Sequence, residues 1–182
     1  LAKCGCIDLD VTRDAKDLSE ALVIAQNIVK SASELGINLY IEYSGNRGFH
    51  VWVFLEKAIT HEPIKKALRA IALKANFEAK EIYPKDLNSN IKLPCTTHLK
   101  TSLRCGFITP DFDVNNPEID LESQGDLMAK FELTALDKLI NIPTEVKSED
   151  KPVNSEVRSK EEIKGLLESL GDHPSCIKHL LT

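Results

Sequence analysis

Apolar and polar residues alternate from Cys4 to Val11, which predicts a strand with Ile7, Leu9 and Val11 on one face and Asp8 and Asp10 on the other. The period then changes. Between residues 14 and 35, Leu18, Ala21, Leu22, Ala25, Ile28, Val29, Ala32 and Leu35 share one helical face, and Gly36 supplies the stop. Leu39–Ser44 alternates again, a glycine-containing turn spans Gly45–Gly48, and Phe49–Leu55 is strongly β-prone. Thr60 can cap a second helix that turns Ile64, Leu68, Ile71 and Ala72 inward, and Glu78–Tyr83, stopped by Pro84, predicts a fourth strand. The order β-α-β-β-α-β is that of a split βαβ unit. It predicts an α+β, RRM-like or ferredoxin-like sheet in which the first and third strands are central and the fourth borders the first. Both helices cover one face and the other stays open.

Beyond this unit, Asn90–Leu93 and Cys105–Ile108 predict an added basic β segment, and Leu127–Leu139 an amphipathic helix. Residues 1–142 therefore read as one catalytic-sized domain. Pro143–Arg158 is charged and poor in apolar residues, as linkers are. Ser159 and Glu162 form a capping box for a helix ending at Gly171, so 159–182 reads as the helical start of a C-terminal module. The chain opens at Leu1, directly in a strand, which suggests a piece of a longer protein whose N-terminal part is missing.

Composition narrows the class. Among 182 residues, 42% are hydrophobic and 28% charged, as in soluble globular proteins. No apolar run reaches the ~18 residues a membrane span requires, so no membrane partner is expected. Five cysteines without a CxxC pair favour neither a disulfide framework nor a zinc ribbon, and a reducing cytoplasm is the simplest setting. The net charge of -5 hides an asymmetry: residues 1–110 carry 15 Lys and Arg against 12 Asp and Glu, and the remainder 8 against 16. The acidity belongs to the second half, and the first half is compatible with a polyanionic partner.

Candidate chemistry lies on the open face. Asp8 and Asp10 repel each other unless a cation neutralises them, and a divalent ion with substrate phosphates suits such a pair; a solvated strand end is the plain alternative. Ser44-Gly-Asn-Arg-Gly-Phe-His50 links the second and third strands. Its Ser44, Arg47 and His50 converge on the acidic pair if the first and third strands are neighbours. A hydroxyl, a guanidinium and an imidazole there suit triphosphate oxygens, although a water-facing hairpin turn would also use these residues. Gly45 and Gly48 would let a bound group approach the backbone. The fourth strand can supply a third carboxylate, Glu81, with Asp86 and Glu78 competing. Parity argues against Glu81, because Phe77 and Ala79 share its alternation. Lys92, His98, Lys100 and Arg104 make the following segment basic, a candidate clamp for phosphates or a primer strand. Tyr40 and Trp52 fall on the site-facing alternation, where they would either stack bases or be buried.

Together these motifs resemble the archaeo-eukaryotic primase, or primase-polymerase, superfamily. The likeness is carried by Ile7-Asp8-Leu9-Asp10, by Ser44-Gly-Asn-Arg-Gly-Phe-His-Val-Trp52, and by Glu81-Ile-Tyr-Pro-Lys85 with Ile91-Lys-Leu-Pro and His98-Leu-Lys-Thr101. It spans roughly residues 3–110 and is strongest toward the primase domains of TOTE conflict systems and CRISPR-associated primase-polymerases. The resemblance implies a DNA primase or polymerase that joins nucleoside triphosphates to a primer or an initiating nucleotide on a DNA or RNA template. It implies Mg²⁺ or Mn²⁺, two ions, held by Asp8, Asp10 and Glu81, with His50 beside them. Ser44, Arg47 and His50 would contact the triphosphate, and Lys92, His98 and Lys100 would be secondary phosphate contacts. A further C-terminal domain or a helicase or nuclease partner would complete such a protein. His173-Pro-Ser-Cys176 resembles the opening of a primase large-subunit domain, where such a cysteine begins an iron–sulfur site; an ordinary capped helix is the plainer reading. Two rival functions share the face: a metal-dependent phosphodiesterase or nuclease, and a non-catalytic RRM-like nucleic-acid-binding module.

Overall fold

In a computed structural model, residues 1–86 and 89–142 are described. The linker 143–158, the module 159–182 and Cys176 lie outside the described residues. Strand β1 (Ala2–Asp10) gives way to a one-turn helix α1 (Val11–Asp14) and then to α2 (Leu18–Ser33). Strands β2 (Tyr40–Tyr43) and β3 (Gly48–Ile59) form a hairpin; α3 (His61–Lys74) and β4 (Glu81–Tyr83) follow. A two-residue strand β5 (Gly106–Phe107) and short helices α4 (Gln124–Met128) and α5 (Leu136–Ile140) end the described part. The sheet order is β4-β1-β3-β2-β5, with every neighbouring pair antiparallel. This is the expected split βαβ sheet, extended at the β2 edge by the residues of the basic segment.

Alternation in β1 settles the faces. Ile7 and Leu9 are buried in the main core with Ile28, Val51, Val53, Leu68 and Ile71, under α2 and α3. Val11 does not continue the strand, because Asp10 accepts from the Thr12 amide at 2.9 Å and caps α1 instead. Helix α2 likewise starts later than position 14, at the cap that Asp17 makes to the Glu20 amide. Gly36, in the left-handed region at φ 69°, ends its run. Thr60 stands at the N-cap of α3, but its hydroxyl makes no capping hydrogen bond.

The second face is less open than the element order predicts. Cys6, Trp52 and Phe107 form a second cluster there, covered by Ile91, Cys95, Leu127 and Phe131. Trp52 is 2% exposed and so buried, while half-buried Tyr40 has one ring face covered by Phe131, with ring centres 3.7 Å apart. The predicted helix Leu127–Leu139 is broken for the same reason. Phe131 belongs to the second face, Leu139 to the main core, and Thr134 exchanges backbone hydrogen bonds with Phe54 and Glu56 between them. One straight helix cannot reach both sides of a sheet. Asn90–Leu93 is not a strand: Ile91 packs into the second cluster and Lys92 reaches to Ser44, so the segment lies over the sheet and pairs with no edge. Among the described residues no helix is long and apolar enough to cross a membrane.

Candidate active site

Cross-strand register builds the site. Asp8 pairs with His50 of β3 on one side and with Glu81 of β4 on the other, and His50 pairs with Glu42 of β2. Four ionisable residues, Glu81, Asp8, His50 and Glu42, therefore stand in one row across the sheet, on the face away from α2 and α3. The parity conflict over Glu81 dissolves because β4 begins at that residue. Ile82 is the member that faces the core, and Ala79 lies before the strand, where its burial sets no alternation.

The imidazole of His50 turns toward the acids, with Nε2 3.8 Å from Asp8 Oδ1. Asp10 closes the strand beside it; its Oδ1 accepts from Thr12, and Oδ2 faces Arg47 Nη2 at 3.4 Å. A cleft of about 210 Å³ opens over these groups. Asp8, Asp10, Ser44, Arg47, His50, Lys92 and His98 all line it. Lys92 is anchored by donating to the Ser44 carbonyl oxygen at 2.6 Å, while Thr101 Oγ1 donates to the Gly45 carbonyl oxygen and ties the basic segment to the hairpin turn. Two expected residues do not line the cleft. Glu81 lies on the far side of Asp8, and Lys100 is exposed, near enough only for its charge to act on His98.

Packing requires both glycines of the turn, and Gly48 also lines the cleft. A Cβ on Gly48 would run into the carbonyl of Leu9. On Gly45, whose φ is 77°, it would meet the Cys105 sulfur at 2.8 Å. The missing Cβ atoms let β1 and the basic segment press against the hairpin.

The electrostatics separate the two aspartates. Burial pushes the Asp8 carboxyl above the usual range, a push that the His50 and Arg13 charges oppose and Glu81 reinforces. Burial acts on Asp10 as well, but donation from the Thr12 hydroxyl and amide outweighs it and holds that carboxyl below the usual range. Glu81 is held low by hydrogen bonding to Lys85 at 2.8 Å; its other oxygen meets Arg13 at 3.0 Å. Burial, then the charges of Lys92 and Lys100, lower His98.

These features bear on a metal. Asp8 has no cation closer than 3.8 Å to either oxygen, and Asp10 lines the cleft with its Oδ2 meeting only the exposed Arg47, at 3.4 Å, so the two carboxylates can supply hard oxygen donors. Among the described residues no group of three His, Cys, Asp or Glu is arranged to hold an ion unaided. The donor set thus fits an ion such as Mg²⁺, which takes one or two carboxylates and completes its shell with water and phosphate.

Sequence reasoning missed two participants. Glu42, which the sequence does not single out, is wholly buried against His50, and only its shared parity with Tyr40 could have flagged it. Arg13, likewise not singled out, bridges Asp8, Asp14 and Glu81.

An antiparallel split βαβ sheet with acids rowed across its uncovered patch defines an RRM-like domain. More specifically, residues 3–90 match the family model of the LigD primase-polymerase domain, and this stretch is a catalytic core of the archaeo-eukaryotic primase type. It is a nucleotidyltransferase-like domain, a kind that handles nucleic acid and nucleotides and generally depends on a divalent metal. No curated protein matches the chain significantly.

Proposed function

We propose that the chain catalyses template-directed nucleotidyl transfer, joining a nucleoside triphosphate to a primer 3′-hydroxyl or an initiating nucleotide. The observation that carries this reading is the cleft itself: Asp8 and Asp10 form one wall, while Arg47, His50, Lys92 and His98 surround the same volume. Acids alone would suit a cation store and bases alone an anion site; the two together suit a metal–triphosphate complex.

Asp8 and Asp10 would hold Mg²⁺ or Mn²⁺, which when bound would lower the hydroxyl's pKa and offset charge developing on pyrophosphate. Arg47, on the turn, and Lys92, braced against the Ser44 carbonyl, would bind phosphate oxygens. The Ser44 hydroxyl and His98 would line the triphosphate path, and Lys100 would act at longer range. His50 would place a phosphate oxygen between its ring and the acidic wall. Glu81 would join as a third ligand only by releasing Arg13 and Lys85. The protein's part is positioning and fixed charge, with no covalent intermediate on a side chain.

A labelled primer–template incubated with each nucleotide set and Mg²⁺ or Mn²⁺ tests the proposal. Extension that stops on chelation is expected. Shortening of the strand would instead favour a phosphodiesterase on the same carboxylates, and binding with no change in length a non-catalytic module.

A further inference from the structure

Glu42 is 0% exposed, at the middle of β2, beside the second apolar cluster. Its Oε2 accepts from Trp52 Nε1 at 2.7 Å and lies 2.7 Å from His50 Nδ1, while Oε1 is buried without a partner. Burying a carboxylate costs free energy, and replacing a buried charged pair by apolar groups is often neutral or stabilising. Stability therefore gives no reason for an acid at this position. Geometry does. Trp52 lies two residues beyond His50 on the same face of β3, and holds the carboxylate from one side. The carboxylate holds the ring from the other, through Nδ1–H. The opposite ring nitrogen, Nε2, is thereby turned to Asp8 and the cleft. A histidine ring without such a partner can flip about its broad, two-fold χ2 and offer carbon where nitrogen is needed.

We infer that Glu42 is a positioning residue, whose buried carboxylate clamps the imidazole of His50 through Nδ1 so that Nε2 meets a phosphate oxygen of a nucleoside triphosphate in the cleft. The inference rests on the nucleotide reading above. It extends that reading to a residue that never touches the substrate.

The test combines kinetics with a spectroscopic readout on the full chain. Nucleotide KM and kcat are measured by primer extension for wild type, H50A, E42L, E42Q and the double variant E42L/H50A. Nitrogen-15 NMR of labelled histidine then reads the ring's protonated site in the nucleotide-free protein. Losing one charge-assisted hydrogen bond predicts a rise in KM of about tenfold or more for H50A. E42L should match it, the double variant should add nothing further, and E42Q, whose carbonyl still accepts from Nδ1–H, should recover most of the loss. The wild-type spectrum should show His50 protonated at Nδ1, and E42L should lose that fixed signature. The inference is overturned if E42L leaves nucleotide KM at the wild-type value, if its effect multiplies with that of H50A, or if wild-type Nδ1 carries no proton. Should E42L not fold, E42Q and the wild-type spectrum still decide. A chain that incorporates no nucleotide would end the nucleotide reading, and the spectrum would then judge the clamp separately.

Discussion

The two faces of the sheet are made by the same strands and obey different rules. On the helix side, Ile7, Leu9, Val51, Val53 and Ile82 meet α2 and α3 in a dry core. On the other side, the neighbouring residues Cys6, Asp8, His50 and Trp52 divide into an apolar half under Phe107 and Phe131 and an ionisable half under the cleft. Apolar burial fills the first face, and the ionisable groups gather in half of the second. The boundary is a single step along β1 and β3, from Cys6 to Asp8 and from Trp52 to His50. The ionisable patch thus lies one residue pair from an aromatic cluster.

The sharpest way to break the contrast is to empty the ionisable half. Asp8→Ala with Asp10→Ala should lower nucleotide incorporation by about a thousandfold or more, the scale of losing metal-assisted charge stabilisation, with the melting temperature falling by no more than the loss of the Asp10 cap on α1 explains. Primer extension and thermal unfolding measured on one preparation would check both. A collapse of folding would mean the acids are structural.

The mirror change belongs to the other face. Leu9→Ala, one residue from either aspartate, should cost about 2–5 kcal/mol of stability because Leu9 is 1% exposed and its cavity cannot refill. Denaturant unfolding reads that cost, and any fall in incorporation should follow the folded fraction.

Legibility divides along the same line. Period-two alternation exposed the faces of β1, and the hairpin placed His50 beside Asp8, so the centre of the site could be read from spacing alone. Glu81 could be assigned only once its strand was seen to start at that residue, since strand ends are invisible to alternation. The covering of Trp52 and Tyr40 was hidden, because long-range partners such as Phe131 leave no local period. Glu42 was hidden for a different reason: a glutamate in a strand predicts solvent, and only tertiary packing makes it a buried anchor.

Smaller effects sharpen the comparison. Arg47 is exposed at the cleft mouth and lies 3.4 Å from Asp10. Arg47→Ala should raise nucleotide KM by roughly tenfold with kcat much less affected, as for a phosphate contact made equally in ground and transition states. The smallest change lies outside both faces. Glu34 of the α2 end meets Lys74 of α3 at 2.9 Å, and hydrogen bonding to that lysine lowers its pKa. A lowered carboxyl binds fewer protons folded than unfolded, so this pair contributes stability above the ordinary glutamate range near pH ~4.3 and loses it as pH falls through the lower folded value. Lys74→Ala should therefore cost a little at neutral pH and nothing in strong acid, as unfolding curves across pH would record.

In the proposed reaction Asp8 and Asp10 share one divalent ion in the presence of a nucleoside triphosphate. Manganese binding followed by electron paramagnetic resonance, with and without nucleotide, measures this directly for the wild type and for Asp8→Asn with Asp10→Asn. Uptake that nucleotide strengthens in the wild type, and that disappears in the double variant, is the predicted result. Equal uptake by both proteins, with nucleotide present, would contradict it.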